Sequence, residues 1–190
     1  MLEEFIDYSE TLFVECMFGK EAANAYAQGL RRTIGNRTPV IGFYGVNQEG
    51  SGDMYNKGNN LLHTIRQVID NDSLFRDILR GLNKTFYHKT VDTKDIENYM
   101  SKRSGKDLSK IFDQYLRSTK IPVLEYKEEG NSITYRWNNV VDGFNMPVFL
   151  FSGKKFELKP TTEWQQVTLP LNFSMMDVNK NFYITVKKIQ

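Results

Sequence analysis

The sequence predicts an α+β protein in which an all-α helical subdomain is followed by a small antiparallel β-sandwich. Apolar residues recur at three- and four-residue spacing over roughly the first 120 residues, which indicates helices. From Val123 onward the spacing changes to strict alternation, which indicates strands. Ile121-Pro122 separates the two patterns, because proline disfavours helix at the residue before it. The predicted domains are therefore residues 1–122 and 123–190.

The composition excludes several classes of protein. The 190 residues carry 25 Lys and Arg against 23 Asp and Glu, a formal charge of +2, so no global charge favours nucleic acid or a membrane surface. No apolar run approaches the ~20 residues of a transmembrane helix. The one cysteine, Cys16, cannot form an internal disulfide, and its apolar neighbours Phe13 and Met17 predict an inert buried thiol. The cellular compartment stays open.

Six helices with short links are predicted in the first domain. Glycines end the first, second and fifth of them, and short polar residues cap several others. A loop through Pro39, Gly42 and Gly45 leads from the second helix to the third. The predicted stops are Gly19, Gly35 and Gly105, and the predicted caps or starts are Asp53, the segment Asn71 to Ser73, Thr93 and Asp107.

The third helix follows a glycine-rich segment, Gly50 to Gly52, and is the centre of the predicted domain. Tyr55 is expected in its first turn with the hydroxyl directed outward, two residues before Lys57. A phosphate-binding loop is the alternative, but no Gly-Lys-Ser/Thr follows the glycines and no strand pattern precedes them. The apolar residues on one face of this helix are Leu61, Leu62, Ile65, Val68 and Ile69.

The second domain is predicted to begin with a hairpin that turns at Gly130-Asn131. Its two tryptophans, Trp137 and Trp164, are predicted as core residues, with a carbohydrate or peptide platform as the alternative. The predicted strands are 123–127, 133–137, 146–151, 155–158, 164–169 and 182–187.

Segments in the helical half resemble the gluzincin zinc aminopeptidases. The stretch from Glu3 to Glu10, Glu-Glu-Phe-Ile-Asp-Tyr-Ser-Glu, resembles the family's Trp-Leu-x-Glu-Gly-Phe and the Tyr and Glu that follow it. Tyr55-Asn56-Lys57-Gly58 resembles Tyr-x-Lys-Gly. The segment from Gly105 to Pro122 resembles the family's Gly-x-Asp-Leu, Phe-x-x-Trp and x-Pro pattern. The resemblance spans essentially residues 1–124 and is carried by the order of these motifs.

This resemblance implies roles for two residues. In such enzymes zinc is held by the two histidines of a His-Glu-x-x-His helix and by a later glutamate, and Glu3 matches the position of that glutamate. The tyrosine of Tyr-x-Lys-Gly donates a hydrogen bond to the oxyanion of the tetrahedral intermediate, and Tyr55 matches it. The resemblance thus implies a peptide substrate and a zinc cofactor.

The sequence also departs from the family. No His-Glu-x-x-His occurs, and His63 and His88 are predicted to be packed or surface histidines. Since the missing motifs belong upstream, the expected function is that of a C-terminal portion of a zinc metallopeptidase that cleaves at peptide N-termini. The N-terminal remainder of that protein would be its partner, and the isolated chain would be inactive and hold no zinc. Without that role, Glu3 with Asp7 and Glu10 would form a solvated acidic face.

Two alternatives remain open at this point. The chain could be a non-catalytic helical scaffold with a β-sandwich used for protein interaction, an alternative motivated by the missing metal motif. The parent protein could also perform other zinc hydrolase chemistry. The coding region upstream of Met1 would separate the first alternative from the peptidase.

Overall fold

The computed structural model describes residues 2–42, 50–170 and 172–190, so Gly45 of the predicted loop lies outside the described residues. Within those ranges a helical region precedes a region of strands, and the predicted α+β class is confirmed. The helices are α1 (Leu2–Phe18), α2 (Lys20–Leu30), α3 (Asn56–Ile69), α4 (Asp72–Phe86), α5 (Thr93–Ser104) and α6 (Ser109–Leu116). None of the helices in the described ranges is long and apolar enough to cross a bilayer.

Several helix ends lie where the sequence predicts them. Helix α1 stops before Gly19, whose φ of 88° suits glycine, and α5 stops before Gly105, whose φ is 69°. The Asn71 side chain accepts a hydrogen bond from the Leu74 N–H and so caps α4.

Four predicted helix ends are wrong. Asp53 does not cap α3, whose N-cap is Tyr55, and α6 begins at Ser109 rather than at Asp107. Helix α5 is capped by Asp92 rather than by Thr93, because the Asp92 and Asp95 carboxylates each accept a hydrogen bond from the other's backbone N–H. Helix α2 ends at Leu30, and a short 3-10 turn at Arg31–Thr33 follows it before Gly35. The apolar spacing through Ile34 continues across this turn, so the spacing alone does not show where the α-helix ends.

Helix α3 lies at the centre of the helical region and contacts α1, α2, α4 and α6. The five apolar residues predicted to share a face are all buried, as expected. Most of its polar side chains are buried as well, because neighbouring helices surround it. These buried polar residues are Lys57, Asn59, Asn60, His63, Thr64 and Arg66.

The second region contains a four-stranded sheet of order β5-β2-β1-β6 and a separate β3-β4 hairpin. Strands β1 and β2 form the predicted hairpin at Gly130-Asn131, but β6 pairs with β1 in parallel, so the larger sheet is mixed rather than wholly antiparallel. Alternation marks a strand but does not identify its partner, and this parallel pairing joins strands far apart in sequence. The strands are β1 (Val123–Glu129), β2 (Ser132–Asn138), β3 (Val148–Ser152), β4 (Lys154–Leu158), β5 (Gln165–Thr168) and β6 (Thr185–Lys188).

The tryptophans differ in burial. Trp137 is 1% exposed, and its indole N–H donates to the Met146 carbonyl, so the prediction of a core residue is confirmed. Trp164 is 40% exposed, and that prediction is wrong. It precedes β5, which forms one edge of the sheet, and the Arg136 guanidinium lies 4.4 Å from its ring centroid. An edge position leaves one side of the ring without covering residues.

The helical and strand regions share one hydrophobic cluster. The Tyr115 hydroxyl of α6 donates to the Tyr183 carbonyl at 2.6 Å, and the Tyr183 N–H donates to the Thr64 hydroxyl of α3 at 3.0 Å. Residue 122 therefore marks a change of secondary structure within a continuous core, and the division into two domains there stays a prediction.

Candidate functional site

The first turns of α1 and α3 are in direct contact. A Cβ added at Gly58 would lie 2.6 Å from Glu4 Cβ and 3.1 Å from Glu4 Cα, closer than side chains normally approach. Only glycine therefore lets α1 pack at this position. Glu4 itself is 1% exposed, while the preceding residue Glu3 is partly exposed. The two motifs of the resemblance are thus neighbours in the fold.

Lys57 fixes α3 to the end of α6. Its side chain is fully buried, and its Nζ donates to the Ser118 carbonyl at 2.7 Å. Burial lowers the pKa of Lys57 to about 8, and the negative charge of Asp53 opposes this shift. The lysine of the Tyr-x-Lys-Gly segment therefore has a packing role in this chain.

Tyr55 lies directly before α3 rather than in its first turn, where it was predicted, and is 42% exposed. In the part of the chain that the structure describes, its hydroxyl has no hydrogen-bond partner. Because Lys57 and Gly58 are held by packing two and three residues later, Tyr55 is placed at the junction of α1 and α3. Among the residues that the structure describes, none takes up the hydrogen bond that this phenol can donate.

Asp53 does not cap α3, contrary to the prediction. Its backbone N–H donates to the Ser51 hydroxyl, and its carboxylate accepts from the Gly35 N–H at 2.8 Å and from the Asn36 N–H at 2.6 Å. The carboxylate thereby joins the segment before Tyr55 to the turn after α2. No sequence pattern indicates this contact, because the two segments are 17 and 18 residues apart.

A second set of contacts, also missed by the sequence analysis, holds the start of α3 against α2. The Asn56 amide donates to the Thr33 hydroxyl at 2.6 Å. The side-chain amide of Asn60 makes two hydrogen bonds. Its Oδ1 accepts from Arg31 Nε at 2.7 Å, and its Nδ2 donates to the Ala27 carbonyl at 2.9 Å. Asn56 and Asn60 therefore both have structural partners.

The acidic side of α1 is more than a solvated face. The Tyr26 hydroxyl donates to the Glu10 carboxylate at 2.6 Å, and this bond raises the pKa of Tyr26 to about 12. Partial burial raises the pKa of the Asp7 carboxyl, and the Glu10 charge adds to that effect. Glu3 shares this side of the helix, so its neighbours form an electronegative surface.

Neither histidine is placed to bind a metal with Glu3. His63 is fully buried, its Nδ1 is hydrogen-bonded with the Tyr8 hydroxyl at 3.2 Å, and burial lowers its pKa to about 4. His88 is exposed, and its ring meets the Tyr87 ring edge to face, with the centroids 4.1 Å apart. Both predictions of a packed or surface histidine are confirmed. In residues 2–42, 50–170 and 172–190 no group of three His, Cys, Asp or Glu side chains could hold a metal ion, so the described residues do not fit a complete zinc site.

No protein-family model matches the chain. The chain is 29% identical over 94 residues to aminopeptidase 2, mitochondrial, and 29% over 105 residues to alanine/arginine aminopeptidase, both of Saccharomyces cerevisiae. It is 23% identical over 140 residues to aminopeptidase N of Lactococcus lactis subsp. lactis. The predicted resemblance to aminopeptidases of the aminopeptidase N type is confirmed.

The aminopeptidase matches cover 49%, 55% and 69% of this chain but only 10%, 12% and 16% of the respective relatives. A crystal structure of Legionella pneumophila aminopeptidase A in complex with aspartic acid matches with a TM-score of 0.59 and 17% identity. That match covers 87% of this chain and 21% of the Legionella chain. At this identity the likeness shows a shared fold, so both comparisons relate the chain to a small part of an aminopeptidase.

Proposed function

We propose that the chain is the C-terminal portion of a zinc-dependent, aminopeptidase-like metallopeptidase that hydrolyses peptide bonds at peptide N-termini. In this proposal it comprises the helical part of the catalytic domain followed by a β-sandwich. The observation that carries the proposal is the division of roles in the Tyr55–Gly58 segment. Lys57 and Gly58 are both used in packing, whereas Tyr55 is left exposed next to the first turn of α1.

The proposal gives Tyr55 an electrostatic role. A neutral phenol that has no competing partner can donate a hydrogen bond to the oxyanion that develops on a scissile carbonyl. Removal of one such donor typically costs about a hundredfold or more in rate. Glu3 would supply one ligand to zinc, and the N-terminal remainder of the same protein would supply the others, because the described residues do not complete a site.

Tyr55→Phe in the intact parent protein tests the assignment. We expect kcat on an aminoacyl reporter to fall about a hundredfold, with KM changed much less, because the bond to the oxyanion forms only in the transition state. Tyr87→Phe is the matched control, since Tyr87 is 72% exposed at the end of α4 and should leave kcat unchanged. Unchanged turnover in the Tyr55 variant would contradict the proposed role.

The isolated chain tests the zinc assignment. We expect the purified 190-residue chain to bind less than stoichiometric zinc after dialysis and to leave aminoacyl reporters intact, because one carboxylate cannot hold the ion tightly. Metal analysis and a reporter assay check both points. Stoichiometric zinc together with reporter cleavage would show that the chain needs no upstream portion.

A non-catalytic interaction module is the second candidate. It is favoured by an apolar groove and exposed apolar side chains along α1, which a self-contained enzyme would normally cover. The upstream coding region distinguishes the two candidates. A His-Glu-x-x-His segment there supports the peptidase, and its absence supports the scaffold.

A further inference from the structure

A long apolar groove runs between α1 and α4. Its main part has a volume of about 820 Å³ and also contacts the start of α5. A smaller hollow of about 300 Å³, which shares Leu12 and Leu79 with it, extends the groove toward Cys16. The exposure of Cys16 contradicts the predicted buried thiol, because this groove leaves it uncovered. The principal apolar lining residues are Phe5, Leu12, Leu79, Leu82, Phe86 and Ile96.

Helix α1 also exposes an apolar stripe beside the groove. Ile6, Phe13 and Met17 are 53%, 62% and 59% exposed, and their spacing of seven and four residues places them on one side of the helix. Within the described parts of the six α-helices, only α1 leaves large apolar side chains this exposed. A contiguous apolar surface of this kind normally marks an interface.

The surfaces of α1 follow a definite order around its axis. Successive residues of a helix are rotated by about 100° around its axis. Viewed around α1 in one direction, the buried side at Thr11 comes first, then the groove wall at Leu12, then the stripe at Phe13, and last an acidic flank at Glu10. Across the groove, α4 carries Arg76 and Arg80, which line the smaller hollow. Arg76 is held by Glu15 of the same copy, whereas Arg80 is 70% exposed and pairs only with Asp77 on the same helix, a surface pair that contributes little. An occupant of the groove should therefore present apolar residues toward its floor and an acidic residue toward Arg80. Helix α1 itself has this arrangement.

We propose that the groove binds α1 of a second copy of this chain, in a symmetric dimer whose two-fold axis runs along the helix. In this arrangement the stripe of each α1 enters the groove of the other copy, and both apolar surfaces are covered at once. The acidic flank of each α1 then faces the basic side of the partner's α4, so that Glu10 lies near the partner subunit's Arg80. The proposal does not rest on the proposed peptidase function.

This symmetry predicts which residues meet at the axis. When a two-fold axis runs parallel to α1, a residue that lies on the side of the helix nearest the axis contacts the same residue of the second copy. Ser9 and Cys16 lie between the groove wall and the stripe, and both are exposed. Cys16 should therefore form a disulfide with the partner's Cys16 under mild oxidation, which gives a covalent readout of the arrangement.

Light scattering on the purified chain is the first test. We expect a mass of twice 22.2 kDa at micromolar concentration. Phe13→Asp should reduce the mass to that of the monomer without a change in circular dichroism, because the side chain is mostly exposed in one copy. Met176→Asp is the matched control, since Met176 is 84% exposed outside the groove and should leave the dimer intact.

Charge exchange and cross-linking test the geometry. Arg80→Glu and Glu10→Lys should each raise the dimer Kd at least tenfold, and the double variant should recover most of this loss. Glu10→Lys also removes the hydrogen bond from the Tyr26 hydroxyl, so Tyr26→Phe, which removes that bond alone, is the control and should leave the Kd unchanged. Oxidation should cross-link the wild type, fail with Cys16→Ser, and succeed again when Ser9→Cys is added to Cys16→Ser. A chain that is monomeric at every concentration, a dimer insensitive to Phe13→Asp, or a dimer without either cross-link would each overturn the proposal. Zinc binding and reporter cleavage are measured separately, so failure here leaves the peptidase proposal untouched.

Discussion

Lys57→Met tests how the Tyr-x-Lys-Gly segment is held, because the fold must accommodate a fully buried lysine. Burial lowers the pKa of Lys57 from 10.5 to about 8. In the unfolded chain the Lys57 amine keeps its proton up to about pH 10.5. Methionine has a similar length and no charge, so the variant removes this titration while it keeps most of the volume.

The sign of the pH dependence follows from proton linkage. Between pH 8 and 10.5 the unfolded chain binds a proton that the folded chain has lost, so the free energy of unfolding rises with pH. A pKa difference of about 2.5 corresponds to about 3 kcal/mol. Below pH 8 the buried charge of Lys57 therefore destabilises the folded wild type by about this amount. Loss of the hydrogen bond to Ser118 costs the variant ~1–3 kcal/mol in the opposite direction. We expect the two proteins to differ by less than about 2 kcal/mol at pH 7 and wild type to gain about 3 kcal/mol on the variant by pH 10.5.

Urea unfolding followed by tryptophan fluorescence at several pH values measures this difference. The matched control is Lys159→Met, because Lys159 is 77% exposed and should differ from wild type by a constant amount. A constant difference between wild type and Lys57→Met from pH 7 to 10.5 would show that Lys57 titrates normally in the folded chain, and it would refute the reasoning from burial.

Three further predictions concern buried groups of the helical region. Burial lowers the pKa of His63 from 6.5 to about 4, so the free energy of unfolding should fall as pH drops through that interval, and urea titrations should show a smaller fall in His63→Gln. Gly58→Ala should destabilise the chain by ~1–3 kcal/mol, because the new Cβ meets Glu4, and an unchanged unfolding midpoint would contradict this contact. Arg66→Met should cost ~3–5 kcal/mol, since it breaks ion pairs to two carboxylates at 2.6 and 2.8 Å, whereas the exposed control Arg103→Met should change the midpoint little.

The helices were predictable because their signals are local. Apolar spacing predicted six helices, and Gly19, Asn71 and Gly105 lie at the expected ends. The parallel pairing of β1 with β6 was not predictable, because a strand pattern carries no information about a partner some sixty residues away. The prediction that Cys16 and Trp164 are buried was wrong for a related reason. Cys16 has apolar sequence neighbours and Trp164 is itself a large aromatic residue, but the tertiary structure leaves one side of each uncovered.

The candidate site shows the same limit. The resemblance identified Tyr55 and Glu3, and the structure places their helices in contact, but it was Gly58 and Glu4 that revealed the contact. The support from Asp53 could not be predicted, because its carboxylate binds backbone N–H groups that lie in a different segment. Backbone donors leave no pattern in a sequence, so contacts of this kind become visible only in a structure.

Helix α1 connects the two proposals, and its geometry makes them mutually exclusive states of one surface. Glu3 and Glu10 share the flank of α1 that would face the partner's α4 in the dimer. A zinc-containing assembly needs the Glu3 carboxylate directed toward the ion, whereas the dimer directs that flank toward the partner subunit's Arg80. The N-terminal portion of the proposed parent protein should therefore displace the second copy, and cross-linking through Cys16 should fail in the intact protein. Cross-linking that persisted in an active, zinc-loaded parent would show that the two surfaces are separate.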